Sequence, residues 1–343
     1  MTPPPAPMPN TAELDDESAP QRAVATAHGR FYGDPAHPGR PLISVTNALS
    51  SLAKHALAPA AAFYTATWFA QHLPEAVRAA DDPDELAGFV TRAKLSYREE
   101  WERRRELGSR VHRLAQAVNL GAPVPHDPEA EPFLAAYRAW LSDFRVDLAT
   151  DVLVAETTML NREIGYAGTS DLWVTLRFDN PFSPLVPRFR PKKLPPHPLP
   201  TLPGLWLVDL KTSTKHPASS LWPEQPLQLA ALRNATTALA CPPECRYGAA
   251  EGHHAGHEYP VPVFAGAAIL NLRATGAYGF IPVPADADAY AAFRCLLPVA
   301  TYLHRQNLRG IKPVQPPTAD AVGDHFWKEA DLTCLSTPTS GRA

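Results

Sequence analysis

The chain has 343 residues, of which 45% are hydrophobic, and its formal net charge at pH 7 is −3. This length can bury a substantial core, as one large domain or two small ones. No run of about 18 apolar residues could span a bilayer, and the N-terminus lacks the basic and apolar regions of a signal peptide, so we expect a cytoplasmic protein with no membrane partner. The cysteines are too few and too scattered for a secreted disulfide framework: Cys241, Cys245, Cys295 and Cys334.

The first part of the chain is predicted to be a disordered tail followed by a helical region. Residues 1–42 are rich in Pro, Ala and polar residues without apolar periodicity, which indicates disorder. Residues 43–150 carry apolar side chains at helical spacing, and Ser44 or Thr46 can cap the first helix. The predicted helices are two in 43–73, one over 83–118 that is interrupted or bent near Gly108, and one over 131–144.

Residues 151–310 contain β-rich segments, unlike the helical region before them, and are predicted to form the core. Three β-rich segments suggest an antiparallel meander, with a Pro-rich surface insertion at 181–204 before the third. A helix, a strand pair and a closing helix follow, and residues 311–343 form a loose Pro-rich tail. This order predicts an α/β (α+β) fold with a small mixed β-sheet flanked by helices. The β-rich segments are 146–160, 163–178 and 204–214.

Three charged residues in the β-rich segments suggest a catalytic site. Asp209 and Lys211 are two positions apart in a strand, so their side chains point to the same face, while Leu210 between them points into the core. Asp171 follows the turn Ala-Gly-Thr-Ser on the preceding strand. If the two strands pair, both carboxylates can bind one divalent metal ion. The alternative is an ordinary exposed pair on a strand edge, but the apolar Leu-Trp-Leu-Val before Asp209 argues against it.

Phosphodiester hydrolysis requires this combination of side chains. The attacking water must lose a proton near neutral pH, and the negative charge that grows on the phosphate must be neutralised. A magnesium ion held by carboxylates does both, since it lowers the pKa of its bound water and acts as a Lewis acid. Lys211 would position the water or hold the developing charge.

The sequence resembles the PD-(D/E)xK nuclease family. Gly-Thr-Ser-Asp171 followed by Val-Asp209-Leu-Lys211-Thr is similar to its motif, in the form typical of the branch that includes the RecB nuclease domain. Gly108-Ser-Arg-Val-His112 resembles the upstream Gly-x-x-x-His motif of that branch. Gln228-Leu-Ala-Ala-Leu232 resembles its downstream Gln-x-x-x-Tyr motif. Residues 44–70 also look like the N-terminal helices of actinobacterial phage exonucleases related to the CRISPR-associated exonuclease.

The resemblance implies a restriction-endonuclease-like core and a role for each matched residue. His112, Asp171, Asp209 and the Leu210 carbonyl would bind Mg²⁺ or Mn²⁺. Glu156 would support the metal site, and Gln228 would orient the lysine or a substrate phosphate. Each of these three has a simpler reading, because His112 could be a capping or core histidine, Glu156 a surface residue and Gln228 a helix-surface amide.

The chain departs from the family pattern in three places. The Asp171 to Asp209 gap is longer than in most members, which we attribute to the insertion. Leu232 replaces the Tyr of the last motif, which could weaken DNA positioning. Iron-sulfur relatives carry one Cys before the His motif, and this chain has none before His112, so we expect no iron-sulfur cluster.

Candidate DNA contacts come from two basic patches, because the net charge is negative and any contact must be local. Arg110 and Arg113 flank His112, although most of the surrounding basic run is interleaved with Glu and is typical of a solvated helix. The second patch lies in the insertion and consists of Arg188, Arg190, Lys192 and Lys193.

One further group of side chains could bind zinc. The residue types are suitable, but the spacing is irregular, which makes a zinc site the less favoured interpretation. The group consists of Cys241, Cys245, His253, His254 and His257.

Taken together, the residues and the resemblance predict a magnesium-dependent nuclease. The resemblance further implies an exonuclease acting on DNA ends or single strands, with recombination or replication proteins as possible partners. Two alternatives stay open. The chain could be a catalytically inert DNA-binding or assembly module that keeps the fold, or it could be a structure-selective endonuclease.

Overall fold

The computed structural model describes residues 23–26, 29–52, 54, 57–179, 182–183, 199–239 and 258–305. The helices are α1 Val45–Leu49, α2 Leu57–Gln71, α3 Leu73–Ala79, α4 Pro83–Asn119, α5 Glu131–Asp143, α6 Glu224–Arg233 and α7 Ala287–Arg305. The strands are β1 Ala23–Thr26, β2 Gly29–Tyr32, β3 Leu42–Ser44, β4 Val152–Asn161, β5 Tyr166–Leu176, β6 Phe182–Ser183, β7 Leu199–Pro200, β8 Gly204–Ser213, β9 Thr237–Leu239, β10 Glu258–Pro260, β11 Gly266–Arg273 and β12 Tyr278–Pro282.

The centre of the fold is the antiparallel meander that the sequence predicts. β4 pairs with β5, and β5 pairs with β8, both antiparallel. β8 then pairs in parallel with β11, which pairs antiparallel with β12. The fold is therefore mixed α/β with a mixed sheet, as predicted. The sheet is larger than expected, because within the described residues it has ten strands; β6 and β7 form a separate pair.

The first strands correct the prediction of disorder through residue 42. β1 and β2 pair antiparallel, β2 pairs with β3, and β3 joins the edge of β5. Tyr32 and Leu42 are 2% exposed and pack in one apolar cluster with Leu160 and Ala167. Short strands between prolines carry too few residues for apolar alternation to stand out, which explains the wrong prediction.

The sheet forks at Asp171. β5 pairs with β8 only from Leu172 to Leu176, and the same edge of β5 pairs with β3 at Tyr166 and Ala167. Between these two pairings β8 separates from β5 while it continues along β11 to Ser213. The fork therefore leaves main-chain groups at the end of β8 without a strand partner on the β5 side, and the polar side chains there must satisfy them.

Apolar side chains cover both faces of the central strands. On one face, Trp206, Val208 and Leu210 pack with residues of α4 and α5, including the fully buried Trp140. On the other face, Leu207 packs with residues of α1, α6 and α7. The site described below thus lies where two helical layers approach one sheet from opposite sides.

The helices before the core agree with the predicted helical region, with one correction. Ser44 caps α1 by accepting a hydrogen bond from the Asn47 N–H at 2.9 Å. The long helix is not interrupted near Gly108, because α4 runs unbroken for 37 residues. A glycine in a helix lowers its intrinsic stability by only about 1 kcal/mol, which tertiary packing overcomes.

The remaining predictions concern the helix after the third β-rich segment, the division of the chain into domains, the insertion and the C-terminal tail. The helix predicted over 222–240 ends at Arg233, and its last residues form β9 instead. The described residues through His304 form one compact unit that contains both the helical region and the core strands. Most of the insertion at 181–204 and the tail 311–343 lie outside the described residues. No helix in the described ranges is long and apolar enough to cross a membrane.

Candidate active site

Asp171 lies at the fork of the sheet and takes the place of a missing strand partner. Its Oδ2 accepts a hydrogen bond from the Leu210 main-chain N–H at 2.6 Å. Its Oδ1 is 3.2 Å from Nδ1 of His112 on α4. Because the N–H and C=O of one strand residue point to the same neighbouring strand, the Leu210 carbonyl faces the Asp171 side as well. The carboxylate and this carbonyl therefore lie at the same edge of β8.

Asp209 and Lys211 stand side by side on β8, as the two-residue period predicts. Asp209 is 3% exposed, and its Oδ2 lies against the Lys211 ammonium. That oxygen is fully buried and accepts no hydrogen bond of normal geometry from the described residues. Leu210 points away into the core at 3% exposure. Among the described residues, the Lys211 charge is what compensates this oxygen.

His112 reaches the fork because of a glycine one turn earlier on α4. A Cβ at Gly108 would lie 3.3 Å from Oγ1 of Thr212, which follows Lys211 on β8. The absence of a side chain at Gly108 lets α4 approach the end of β8 closely. Residues four apart share a helix face, so the same approach brings His112 to Asp171. This gives a physical reason for the Gly-x-x-x-His spacing.

Gln228 approaches from α6, on the opposite face of the sheet from α4. Its Nε2 donates to Asp209 Oδ1 at 2.8 Å. Leu232, one turn later, is 1% exposed, and its Cδ2 lies 2.9 Å from where a Cβ at Gly168 would be. Leu232 stands where the Gln-x-x-x-Tyr motif has its Tyr, and here it is part of the core. It therefore adds no polar group to the site.

Glu156 faces the site from β4 in a strained conformation. The strand pairs Ala155 with Leu172 and Thr157 with Ser170 bracket Glu156 and Asp171, so the two acidic residues are opposite each other. Glu156 has φ 59°, which is uncommon for a residue other than Gly, Asn or Asp. Such strain costs of order 1 kcal/mol or more and is concentrated at functional sites.

The electrostatics show that the carboxylates act on one another. Burial raises the pKa of Asp209, partly offset by Lys211, and the charge of Asp171 raises it further. Burial and then Asp171 raise the pKa of Glu156. Burial also disfavours ionised Asp171 and by itself would raise its pKa. His112 outweighs burial through its charge and its hydrogen bond, and Lys211 and the Leu210 N–H add to this, so the pKa of Asp171 is lowered. Three acidic groups therefore compete for two internal cations.

The same couplings favour the protonated forms of His112 and Lys211. Burial disfavours protonated His112, but Asp171 outweighs burial and raises the pKa of the imidazole. Burial disfavours the Lys211 ammonium, but Asp209 and then Asp171 raise its pKa. Because every charge here depends on the others, removing one of them changes the protonation of the rest.

The donor set suits a hard divalent cation, although the side chains do not already surround one. Carboxylate and main-chain carbonyl oxygens are the ligands that Mg²⁺ prefers. The buried Asp209 Oδ2, which faces the Lys211 ammonium, is the acceptor that such an ion would take over. In the part of the chain that the structure describes, however, no three His, Cys, Asp or Glu side chains converge on one point. Lys211 and His112 contact the carboxylates instead, so an ion would have to displace at least one of these contacts.

A cavity of about 360 Å³ opens beside the site, at the carboxyl ends of the parallel strands β8 and β11. Lys211 and Gln228 line it, which connects it to the carboxylate cluster. Ligands of α/β proteins commonly bind at this end of parallel strands. The other polar residues of its wall include Lys54, Arg104, Thr212, Ser213, His216, Glu224, Gln225, Asn271 and Arg273.

Of the predicted DNA contacts, the structure describes only the two on α4, Arg110 and Arg113. Arg110 pairs with acidic residues, with Nε 2.9 Å from Asp127 Oδ2 and Nη2 2.6 Å from Glu129 Oε2, so a phosphate would have to replace these partners. Arg113 is partly buried on α4. Arg188, Arg190, Lys192 and Lys193 lie outside the described residues, as does the possible zinc group Cys241, Cys245, His253, His254 and His257.

Sequence reasoning missed Asn271 and Arg273. Asn271 is opposite Lys211 in the parallel β8–β11 register, and Arg273 is opposite Ser213. Both are at most 5% exposed. A signal was available, because polar residues at alternate positions of an otherwise apolar strand indicate a buried polar surface that needs partners.

Comparisons with known proteins add no assignment. No protein-family model matches the chain, and no curated protein is similar to it in sequence. The case for a function therefore depends on the residues and on their arrangement at the fork.

Proposed function

We propose that the chain is a metal-dependent deoxyribonuclease that hydrolyses phosphodiester bonds. The observation that supports this most is the grouping of Asp171, Asp209 and Lys211 at the fork, with a buried Asp209 oxygen that lacks a hydrogen bond. An ordinary structural ion pair would bury equal charges of opposite sign. Here Glu156 adds a third acidic group and a strained backbone, both typical of functional sites.

The residues that would hold Mg²⁺ or Mn²⁺ are Asp171, Asp209 and the Leu210 carbonyl, with His112 and Glu156 beside them. When bound, the ion would lower the pKa of a coordinated water and neutralise charge on the phosphate. Gln228 fixes Oδ1 of Asp209, and the Leu210 N–H fixes Oδ2 of Asp171. Lys211, partly exposed beside the cavity, is placed to orient the water or to stabilise a phosphate oxygen.

The finer features of the proposal follow from the resemblance. They are exonuclease action on DNA ends or single strands, a role in recombination, repair or phage replication with proteins of those processes, and a cytoplasmic location. A structure-selective endonuclease would use the same chemistry. Covalently closed circular DNA separates the two, because it offers no ends to an exonuclease.

The test measures cleavage of labelled linear and closed circular DNA with Mg²⁺, Mn²⁺ or EDTA. We expect wild-type cleavage with either metal, and a loss of about a hundred-fold or more in Asp209→Asn and in Lys211→Gln, because each removes a group that acts on the transition state. The control is Arg138→Gln on α5, whose exposed pair with Glu131 lies outside the cluster.

A second candidate function is an inert DNA-binding module. The contacts of Lys211 and His112 with the carboxylates favour it, because they fill the position that a metal would need. Equal, metal-independent behaviour of wild type and both site variants would reject the nuclease. In that case DNA binding without cleavage would support the module.

A further inference from the structure

Arg273 at the end of β11 is a buried cation without a counter-ion among the described residues. It is 5% exposed, Nη1 donates to the Leu272 carbonyl at 2.9 Å, and Nη2 donates to the Pro217 carbonyl at 2.7 Å. Its Nε is buried and has no hydrogen-bond partner in the described part of the chain. Burial also lowers the pKa of this guanidinium, with no described acidic group opposing the effect. Buried charges are costly unless they are paired.

The other cations of the cavity wall differ from Arg273. Lys54 lies 3.7 Å from Glu224, and Nη2 of Arg104 lies 2.7 Å from Glu100. Both of these charges are balanced by the protein. Two main-chain carbonyls orient the Arg273 guanidinium but cannot neutralise it.

The place of Arg273 relative to the site suggests what balances it. Ser213, its partner in the parallel register, is two residues beyond Lys211 on β8, and both arginine and lysine line the same cavity. Neighbouring strands are about 4.8 Å apart and a two-residue step is about 6.6 Å, so the two cationic residues are one diagonal step apart on the sheet. Adjacent phosphates of a single nucleic-acid strand can span such a step.

We propose that Arg273 binds a phosphate group of a nucleic-acid strand, next to the phosphate that meets Lys211. A guanidinium presents its N–H groups in a planar fork that matches phosphate oxygens, and the two carbonyls hold the fork in place. That the phosphate belongs to nucleic acid rests on the proposed nuclease function. That an anion binds Arg273 rests on its burial and on the absence of a counter-ion among the described residues.

The experiment supplies the missing counter-ion by mutation. Ser213→Asp places a carboxylate opposite Arg273, and the matched control Ser213→Asn has nearly the same shape without charge. Ser213 Oγ accepts from the main-chain N–H groups of Lys215 and His216, and both replacements keep an acceptor for this turn. The probes are inorganic phosphate and a short single-stranded oligo-dT without terminal phosphate, measured by calorimetry in EDTA, so that no cleavage occurs.

We expect wild type and Ser213→Asn to bind the oligonucleotide alike, and Ser213→Asp to bind it about ten-fold or more weakly, because its carboxylate competes with phosphate for Arg273. Inorganic phosphate should compete with the oligonucleotide in wild type. If Ser213→Asp does not fold, Arg273→Gln, which removes the charge and keeps an amide donor, should show the same loss.

Three outcomes are informative. Equal oligonucleotide binding by the aspartate and asparagine variants would overturn the site. Binding of inorganic phosphate that is sensitive to Ser213→Asp, without oligonucleotide binding, would overturn the nucleic-acid ligand. Weaker oligonucleotide binding by Ser213→Asp in a chain that cleaves no DNA with metal would support this site and reject the nuclease, so the two proposals fail separately.

Discussion

Asp34 and Asp209 are both buried aspartates, but their surroundings are opposite in kind. Asp34 accepts two hydrogen bonds from Arg162, both at 2.8 Å, and Glu258 occupies the other side of the same guanidinium. The pKa of Asp34 is lowered, chiefly by its hydrogen bonds to Arg162. Asp209 shares its region with Asp171 and Glu156, and its pKa is raised.

The difference separates a structural charge cluster from a candidate catalytic one. At Asp34 each acidic oxygen has a directed donor, including the Ala36 N–H and His37 Nδ1, both at 3.0 Å. At the fork, like charges converge and one buried oxygen lacks a hydrogen bond in the described residues. Burial of a charge is therefore not informative by itself. A buried charge indicates function where the neighbouring groups of the protein compensate it only in part.

The largest effect on stability is expected from breaking the compensated cluster. Arg162→Ala leaves Asp34 buried without its main donor, and we expect the free energy of unfolding to fall by about 3 kcal/mol. Urea denaturation at pH 7 measures it. Arg105→Ala, which breaks the exposed pair with Glu102, should cause no measurable change. Equal effects of the two substitutions would show that the Asp34 cluster contributes no more than a surface pair.

Isosteric removal of one charge in each cluster should have opposite effects. In EDTA at pH 7, Asp34→Asn should lower the free energy of unfolding by about 1 kcal/mol or more, because it weakens bonds to Arg162. Glu156→Gln should raise that free energy by about 1 kcal/mol, because it removes a carboxylate that faces Asp171. The same sign for both substitutions would contradict the comparison.

The pH dependence of these two variants follows from the direction of each pKa. The Asp34 contribution is present above its ordinary pKa of 3.8 and is lost as pH falls toward its lower folded value. The Glu156 contribution has the reverse sign, because the folded pKa of Glu156 lies above the ordinary value of 4.5. Stability is therefore lost as pH rises through the folded pKa of Glu156. Stability curves between about pH 3 and pH 7 should flatten at the acid end in Asp34→Asn.

The Asp209 cluster could be predicted in part from local sequence patterns, whereas the Asp34 cluster could not. The two-residue period placed Asp209 and Lys211 on one face, and the apolar run before them indicated burial; the ion pair agrees with both. No local pattern predicts that Asp34 meets Arg162, since that contact spans 128 residues. The positive φ of Glu156 has no sequence signal either, because glutamate seldom adopts it.

The strand count shows the same limit. Apolar alternation identified the long strands, whereas β1, β2, β9 and β10 have three or four residues each and pair with other short strands or with an edge of the sheet. Such strands form because the sheet edge offers free hydrogen-bonding groups, which is a property of the folded molecule. Sequence patterns therefore predicted the centre of the site better than the borders of the sheet.

The smallest effect is expected at the glycine that lets α4 approach β8. A methyl group at Gly108 would press on Thr212, whereas at Gly88 on the same helix it would meet nothing within 4 Å. Gly88→Ala should stabilise the protein by about 0.5–1 kcal/mol, as expected for helix propensity. Gly108→Ala should gain less than this, and on the proposed nuclease function it should lower cleavage several-fold by moving His112 from Asp171. Equal stabilities and activities would show that the close approach has no effect.

The fork in the sheet also sets the order in which the carboxylate cluster can assemble during synthesis. Asp171 bonds the main chain of Leu210, and Asp209 bonds a side chain on α6, so the cluster needs residues from His112 through Gln228. The hairpin of β4 and β5 can form from local contacts, but closing the longer loop to β8 is slower. A nascent chain that ends before Gln228 therefore lacks a complete cluster, and a chain with this chemistry would stay inactive until most of its sheet has assembled.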